Sequence, residues 1–309
     1  MTRMDEALLS GSPLVKVTIS GATGYIGGRL LGTILELGWK ACAVVRAGDE
    51  AGLPAGVERI VDPGTAGILA GQLTEFGPDV ILHLAACQDL TDAPDASDAL
   101  VEANLAFGAR MLSAARTAGA RALVAAGTYS VHGAGDPIYD PQTFYAATKQ
   151  AFSALAGYYR SATDLQTVVL ELSDTYGPGD TRRKFLDLVD AAARSGEPLD
   201  ASPGEQVVSP LHVDDVVNAF VHTALTLLGP EAGTLGAVHS VAGPRAVTLR
   251  ELVAAYEEVT GRAVPVRWGT RPYRDREIME PWAGDALPSW SPGVELADGI
   301  AAVYGRNPS

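Results

Sequence analysis

Short apolar runs alternate with helical patterns along the first half of the chain. The clearest run, residues 15–20, is rich in β-branched side chains and precedes a glycine-rich turn and a helical pattern that extends to about Leu37. Further predicted strands cover Lys40–Val45 and residues 57–61, 79–86 and 120–127. This alternation predicts an α/β fold with a doubly wound parallel sheet, buried on both faces and connected by right-handed crossovers.

Helical patterns continue beyond these runs but become looser after residue 195. They cover residues 94–118, 144–163 and 248–260 and Val213–Leu228, with a short apolar run at 237–242. Thr248 followed three residues later by Glu251 predicts a helix N-cap with a capping box. This region predicts a second, smaller C-terminal α/β lobe.

Three glycines, Gly21, Gly24 and Gly27, are spaced three residues apart in the turn after the first strand. The first permits an unusual backbone angle, the second lets a phosphate approach the main chain, and the third lets the helix pack on the strand. Helix N–H groups and the helix dipole then face an anion. Incidental glycines in an ordinary strand–turn–helix are the alternative, but the context favours a dinucleotide site in a Rossmann-like fold. The other expected contacts of this turn are Thr23, Tyr25 and Ile26.

Positions that follow other predicted strands are further candidates for cofactor contacts. Arg46 ends the second strand, where an acidic residue would favour NAD and an arginine accommodates the 2′-phosphate of NADP. NADP(H) is therefore expected ahead of NAD(H), and a surface arginine is the alternative. Asp62 would bond the adenine amino group or stand in a turn, and Asn104 would contact the cofactor region or be exposed. Small side chains after the fourth strand leave room for a ligand at Leu84, Ala85 and Ala86.

Composition and charge narrow the choice of partners. The 309 residues are 47% hydrophobic and 19% charged, which is typical of a globular protein. A net charge of −14 argues against nucleic acid and anionic membranes, and no apolar segment approaches the ~20 residues of a membrane span. Two cysteines, Cys42 and Cys87, suggest no disulfide framework and fit a reducing cytoplasm. No metal-ligand cluster is expected, and the five histidines are scattered without an evident partner.

Tyr145 and Lys149 are four residues apart in a helical pattern and therefore share one face of the helix. An ammonium group beside a phenol stabilises the phenolate and lowers its pKa towards the working range. A hydroxyl such as that of Thr128 would hold a substrate carbonyl beside the phenol. These groups would pass a proton while a nicotinamide passes a hydride. The alternatives are aromatic packing for Tyr145 and a solvated surface position for Lys149.

The chain resembles the extended short-chain dehydrogenase/reductase superfamily, which contains nucleotide-sugar epimerases, dehydratases and reductases. The resemblance covers about residues 15–215. It implies that Tyr145 is the general acid/base, that Lys149 lowers its pKa and holds the cofactor ribose, and that Thr128 orients the carbonyl. The matching motifs are Gly21-Ala22-Thr23-Gly24-Tyr25-Ile26-Gly27, His83-Leu84-Ala85-Ala86, Thr128 before Val131-His132-Gly133, and Tyr145-Ala146-Ala147-Thr148-Lys149.

Departures from the superfamily pattern point to one branch of it. Dehydratases follow their catalytic Thr with an Asp-Glu pair, whereas Thr128 is followed by Tyr129 and Ser130, which argues against dehydration. Many UDP-sugar epimerases carry an Arg and an Asn where this chain has Glu171 and Asp174. They also carry an Arg where Val208 stands. An aspartate would repel a pyrophosphate, which argues against that binding mode.

Residues 174–185, 202–206 and 213–215 look more like the NDP-4-keto-6-deoxyhexose 4-ketoreductases, such as the CDP-abequose and CDP-paratose synthases. This resemblance implies NADPH-dependent reduction of a sugar 4-ketone. An NAD(P)-dependent nucleotide-sugar epimerase is the first alternative, and a non-catalytic dinucleotide-binding sensor is the second. At least one cation of Arg182-Arg183-Lys184 is expected to pair with the substrate diphosphate, unless these residues are a solvated helix start. The expected substrate contacts are Thr128, Asp174, Thr175, Arg182, Lys184 and Arg274.

The expected organisation has three parts. Residues 1–12 form a flexible tail, residues 13–173 the dinucleotide-binding domain, and residues 174–309 mostly a substrate-binding lobe, with some segments returning to the first domain. The resemblance further implies a homodimer that binds a nucleotide sugar.

Overall fold

The computed structural model describes residues 15–49, 52–88, 93–133 and 135–305, so the tail expected at 1–12 lies outside the described residues. The chain forms two compact units that interleave along the sequence. The first comprises the described residues up to 126 together with 151–170 and 220–238. The second comprises 127–150, 171–219 and the described residues from 239 onwards. The domain boundary expected at residue 173 stays a prediction.

The strands and helices that the sequence predicted form close to the expected residues. In chain order the strands are β1 Lys16–Ser20, β2 Lys40–Val45, β3 Glu58–Val61, β4 Val80–His83, β5 Ala122–Thr128, β6 Gln166–Leu172, β7 Thr175–Tyr176, β8 Leu199–Ala201, β9 Val207–Val208, β10 Leu211–His212, β11 Val238–Val241, β12 Val247–Thr248 and β13 Val266–Trp268. The helices are α1 Tyr25–Glu36, α2 Ala66–Phe76, α3 Pro94–Val101, α4 Phe107–Thr117, α5 Phe144–Ala162, α6 Phe185–Ser195, α7 Val213–Leu228, α8 Leu249–Thr260 and α9 Leu296–Tyr304.

Seven of the strands form one sheet in the order β11-β6-β5-β4-β1-β2-β3. β1 pairs in parallel with β2 and with β4, and β2–β3 and β4–β5 are also parallel. β1 lies between β2, the next strand along the chain, and β4, so the direction of strand succession reverses at β1, as a doubly wound sheet requires. The sheet is therefore Rossmann-like, as the alternation of strands and helices predicted. The long helical pattern at 94–118 forms α3 and α4 joined by a π-helical segment, Glu102–Ala106.

The core of the first unit lies around the sheet. Val17, Ile19 and Leu82 are fully buried in β1 and β4. Side chains of α2, α4 and α5, among them Leu73, Met111 and Phe152, pack in one apolar cluster with the strands. Burial on both faces explains why these strands read as continuous apolar runs rather than as alternating ones.

The second unit has its own core, in which α6, α8 and α9 contribute Val189, Tyr256 and Ile300. The predicted capping box at the start of α8 is confirmed. Thr248 Oγ1 accepts the Glu251 main-chain N–H at 3.1 Å, and Glu251 Oε2 accepts the Thr248 N–H at 2.8 Å. Among the described helices, none is long and apolar enough to cross a membrane.

Candidate functional site

The glycine turn joins β1 to α1 in the first unit. Gly21 has a φ of +76°, and a Cβ atom there would lie 2.6 Å from the main-chain N of Ala85. A Cβ on Gly27 would overlap the carbonyl oxygen of Gly21. Gly24 is the N-cap of α1, has no side chain with which to cap the helix, and is exposed together with Thr23. The turn is thus a cradle that side chains would fill, and it fits the pyrophosphate of a dinucleotide.

The loop after β4 is held against β1. Ser20 Oγ and His83 Nδ1 are 2.7 Å apart in the buried interior, and the Ala85 N–H donates to Ser20 Oγ at 3.4 Å. Leu84 N donates to the Ser20 carbonyl at 3.0 Å. These bonds place residues 84–86 beside the glycine turn, as their proposed role in cofactor binding requires. The contact between Ser20 Oγ and His83 Nδ1 also shows that the expectation of histidines without an evident partner is wrong for His83.

Asn104 is buried within the π-helical segment, which excludes the alternative that it is simply exposed. Its Oδ1 accepts the Cys87 N–H at 2.8 Å, and its Nδ2 donates to the Cys87 carbonyl at 3.0 Å. Both ends of the amide therefore bind one residue of the loop that follows β4. A π-helical turn inside an α-helix is frequent at functional sites. Asn104 therefore fixes this loop, and its contact with the cofactor region stays a prediction.

Arg46 and Asp62 follow β2 and β3 at the same edge of the first unit. The Arg46 side chain is 85% exposed, and its Nε donates to Asp49 at 2.9 Å. Asp62 accepts the Gly64 N–H at 3.1 Å and pairs with Arg110 at 2.8 Å. Asp62 is therefore a turn residue as well as an ion-pair partner, and its contact with adenine stays a prediction. The sequence reading missed Arg110 because nothing in the local pattern links it to Asp62.

Thr128 is the last residue of β5, in the second unit, and caps the short 3₁₀ turn Tyr129–Val131. Its Oγ1 accepts the Ser130 N–H at 3.3 Å and lies 2.9 Å from Ser130 Oγ. Tyr145 and Lys149 lie in the first two turns of α5. Tyr145 is half-buried, whereas Lys149 is only 4% exposed. A hydroxyl, a phenol and a buried amine are thus presented by β5 and α5.

Burial lowers the pKa of Lys149 from 10.5 to about 8. The folded protein therefore binds fewer protons than the unfolded chain between these values, so the free energy of unfolding rises with pH through that window. Below about pH 8 the full cost of burying the charge is present. In urea titrations without cofactor from pH 7 to pH 10, we expect wild-type protein to gain stability relative to a Lys149→Met variant. If the difference in free energy of unfolding between the wild-type protein and Lys149→Met stays constant over this range, the lowered pKa of Lys149 is contradicted.

His132 and Glu171 form a buried pair, so the expectation that the histidines have no evident partner is wrong for His132 as well. His132 Nε2 lies 3.0 Å from Glu171 Oε2. The His132 ring packs on Tyr139 and Trp282, with centroid distances of 5.0 and 4.1 Å. Burial raises the pKa of Glu171, although His132 counteracts the shift. Glu171 therefore binds the histidine that ends the 3₁₀ turn capped by Thr128. Glu171 stands at the position where many epimerases carry an arginine.

Tyr129, Asp174 and Lys184 form a polar chain in the second unit. The Tyr129 hydroxyl donates to Asp174 Oδ2 at 2.9 Å, and Lys184 Nζ lies 3.6 Å from Asp174 Oδ1. Burial raises the pKa of Tyr129 well above its usual value, and the charge of Asp174 and the hydrogen bond to it add to the shift. Two of the predicted substrate contacts are thus brought together next to Thr128. Their link to Tyr129 was missed because 45 residues separate Tyr129 from Asp174.

Two of the three remaining predicted substrate contacts, Arg182 and Thr175, bind other groups of the protein. Arg182 forms a forked pair with Asp180, through Nε at 2.8 Å and Nη2 at 2.7 Å. Thr175 is buried in β7, and its hydroxyl donates to the Ser173 carbonyl at 3.2 Å. Arg274 is exposed. The substrate roles of all three stay predictions. Within the described ranges, no group of three His, Cys, Asp or Glu side chains is placed to hold a metal ion.

Comparisons with known proteins bear on the family to which the chain belongs. The model of the NAD dependent epimerase/dehydratase family matches residues 17–232. The chain is 28% identical over 260 residues to a probable UDP-glucuronate 4-epimerase of Rhizobium meliloti, covering 75% of this chain and 74% of that protein. It is 26% identical over 303 residues to a CDP-abequose synthase of Salmonella typhimurium, covering 94% and 97%.

A solved structure of similar fold is the UDP-glucuronic acid 4-epimerase from Bacillus cereus in complex with UDP-glucuronic acid and NAD. The TM-score is 0.80 at 21% sequence identity, and the alignment covers 94% of this chain and 98% of that one. At this identity the likeness supports the Rossmann-like fold. The family model, by contrast, spans well over half of the chain and includes the glycine turn, Thr128, Tyr145 and Lys149. The protein therefore belongs to the NAD dependent epimerase/dehydratase family, of the extended short-chain dehydrogenase/reductase type.

Proposed function

We propose that the protein is an NADPH-dependent ketoreductase that acts on the 4-keto group of a nucleotide-linked 4-keto-6-deoxyhexose in deoxysugar biosynthesis. The observation that carries the proposal is the set of Thr128 at the end of β5 with Tyr145 and buried Lys149 on α5. Family membership supports a nicotinamide-dependent enzyme that modifies nucleotide sugars. Similarity to a CDP-abequose synthase over 94% of the chain supports the choice of a reductase.

In this mechanism a bound nicotinamide dinucleotide supplies the hydride. The glycine turn holds the pyrophosphate through its main chain, and Thr128 donates a hydrogen bond to the ketone oxygen. Tyr145 gives its proton to that oxygen as the carbon becomes tetrahedral. Lys149, one turn further along α5, favours the resulting phenolate through its positive charge. Tyr129 and Ser130 offer no carboxylate for eliminating water, so the proposed reaction ends at the alcohol.

The choice of NADPH over NADH rests on Arg46, whose exposed guanidinium would meet a 2′-phosphate. We expect Arg46→Ala to weaken NADPH binding by about tenfold, the loss of one charge-assisted contact, and to leave NADH binding unchanged. Fluorescence titration of both cofactors measures this difference. Arg116→Ala, which removes an exposed arginine of α4, is the matched control. Equal effects of Arg46→Ala on both cofactors would contradict the NADP preference.

The proposal is tested by incubating the protein with NADPH and either CDP- or dTDP-4-keto-6-deoxyglucose. We expect one NADPH to be oxidised for each new 4-hydroxyl, with the product sugar identified by mass spectrometry and NMR. A changed sugar without NADPH consumption would instead indicate an epimerase, which the similarity to the Rhizobium protein favours as the second candidate. Cofactor binding without any sugar chemistry would indicate a dinucleotide sensor.

A further inference from the structure

We propose that Asp174 binds a hydroxyl group of the substrate sugar and that Tyr129 positions its carboxylate for this contact, an inference that rests on the proposed function. Tyr129 directly follows Thr128, the residue assigned to the ketone oxygen. Asp174 lies two residues beyond the end of β6. The Tyr129–Asp174 hydrogen bond of 2.9 Å therefore joins the position of the ketone to a nearby anionic acceptor.

The carboxylate of Asp174 retains acceptor capacity after its contacts within the protein. Its Oδ2 accepts from Tyr129, and its Oδ1 faces Lys184 at 3.6 Å. An ionised carboxylate offers about four acceptor sites, so two donors do not saturate it. The Asp174 side chain is 34% exposed, which leaves part of the group open to a ligand. Sugar hydroxyls are the donors in a nucleotide sugar that match such an acceptor.

A diphosphate does not fit the same carboxylate, because both groups are anions and repel each other at short range. The cation beside it, Lys184, is 31% exposed and suits the diphosphate instead. Glu277 and Arg274 also act electrostatically on Tyr129, in opposite directions, so a second cation lies near this chain of groups together with a further carboxylate. The arrangement therefore separates two tasks: Asp174 accepts from the sugar, and the cations offset the charge of the nucleotide.

Tyr129 is suited to positioning because its hydroxyl keeps its proton. Burial, together with the negative charge of Asp174, raises its pKa well above the usual value, so the phenol remains a hydrogen-bond donor at neutral pH. Its donation fixes one oxygen of Asp174 while the other faces Lys184. A phenylalanine at position 129 would leave Asp174 free to turn towards Lys184 and away from the sugar.

The inference is tested by calorimetric titration of the full chain, saturated with NADP⁺, with CDP, CDP-glucose, dTDP and dTDP-glucose. For the base that the wild-type protein accepts, we expect the nucleotide sugar to bind more tightly than the nucleoside diphosphate. In Asp174→Ala, the ratio of the affinity for the nucleotide sugar to the affinity for the nucleoside diphosphate should fall by about tenfold or more. The affinity of this variant for the nucleoside diphosphate should stay equal or increase. Asp200→Ala, which removes a surface carboxylate paired with Arg267, is the matched control.

Two further variants separate positioning from a structural role. Tyr129→Phe should lose about three- to tenfold of the sugar-dependent gain without changing nucleoside diphosphate binding. Asp174→Asn, whose amide oxygen still accepts a hydroxyl, should recover part of what alanine loses. If Asp174→Ala changes the affinities for nucleoside diphosphate and nucleotide sugar by the same factor, the inference is wrong. The absence of any sugar-dependent gain in the wild-type protein would also overturn it.

Failure of the proposed function gives a different result. A wild-type protein that binds the nucleotide sugar with an Asp174-dependent gain, but does not oxidise NADPH with the 4-keto sugars, would contradict the ketoreductase assignment. The same result would support the hydroxyl contact. If the protein reduces the ketosugars, and Asp174→Ala still binds the nucleotide sugar more tightly than the nucleoside diphosphate by the wild-type factor, the ketoreductase assignment holds. The contact between Asp174 and a sugar hydroxyl is then refuted.

Discussion

Replacing Tyr145 with phenylalanine is expected to lower kcat for reduction of the 4-keto sugar by about 100-fold to 10,000-fold. The loss has this size because Tyr145 is the only group in the proposed mechanism that protonates the ketone oxygen, and a positioned general acid contributes about that factor. Steady-state NADPH oxidation at saturating ketosugar measures the effect. Binding of NADPH, followed by fluorescence, should stay unchanged because the hydroxyl takes no part in holding the pyrophosphate.

Tyr158→Phe is the matched control for this variant. Tyr158 lies on the same helix, α5, and is 62% exposed, so removal of its hydroxyl should leave kcat and stability unchanged. Activity of Tyr145→Phe within a few-fold of the wild-type protein would refute the proposed proton transfer. A parallel fall in NADPH affinity would show that the variant disturbs the cofactor site and not the proton-transfer step.

Gly27→Ala is expected to destabilise the first unit and to weaken NADPH binding by at least about tenfold. An alanine Cβ would overlap the Gly21 carbonyl oxygen and lie 3.2 Å from Ala22 Cα, so α1 has to move away from β1. Overpacking of this kind costs about 1–3 kcal/mol in a packed core. Moving α1 also displaces the main chain that holds the pyrophosphate. Urea unfolding and NADPH titration measure the two effects.

Gly32 in the same helix provides the control for this prediction. A Cβ on Gly32 would meet no atom within 4 Å. We therefore expect Gly32→Ala to stabilise the protein by about 0.5–1 kcal/mol, the usual gain when alanine replaces glycine inside a helix, with NADPH affinity unchanged. If Gly27→Ala behaved like Gly32→Ala, close helix–strand packing at Gly27 would not be a requirement of the turn.

The features that sequence analysis predicted well are those in which neighbouring residues determine the structure. The second strand was expected at Lys40–Val45 and forms at the same residues, because a run of apolar side chains suffices to identify a buried strand. The capping box at Thr248 was predicted because both of its residues lie within one helical turn. The glycine turn was likewise predicted because the three glycines that it requires lie within seven residues, Gly21 to Gly27.

Contacts between distant parts of the chain escaped prediction. His132 and Glu171 are 39 residues apart in the sequence. They meet because His132 follows β5, Glu171 lies in β6, and these two strands are neighbours in the sheet. No period in the sequence links them. The small pairs β7–β10, β9–β12 and β8–β13 were missed for another reason, since strands of two or three residues are too short to produce a hydrophobic pattern.

The interleaving of the two units bears on how such a protein can change during evolution. The chain passes from one unit to the other within β5, α5, β6, α7 and β11, and at none of these points does a loop separate the units. A recombination event with a single crossover cannot exchange one unit as an intact cassette, because each is assembled from three separate stretches of the gene. Substrate preference in this lineage should therefore change by substitution at single positions more readily than by exchange of a whole unit. Chimaeras joined at one boundary are expected to fail to fold.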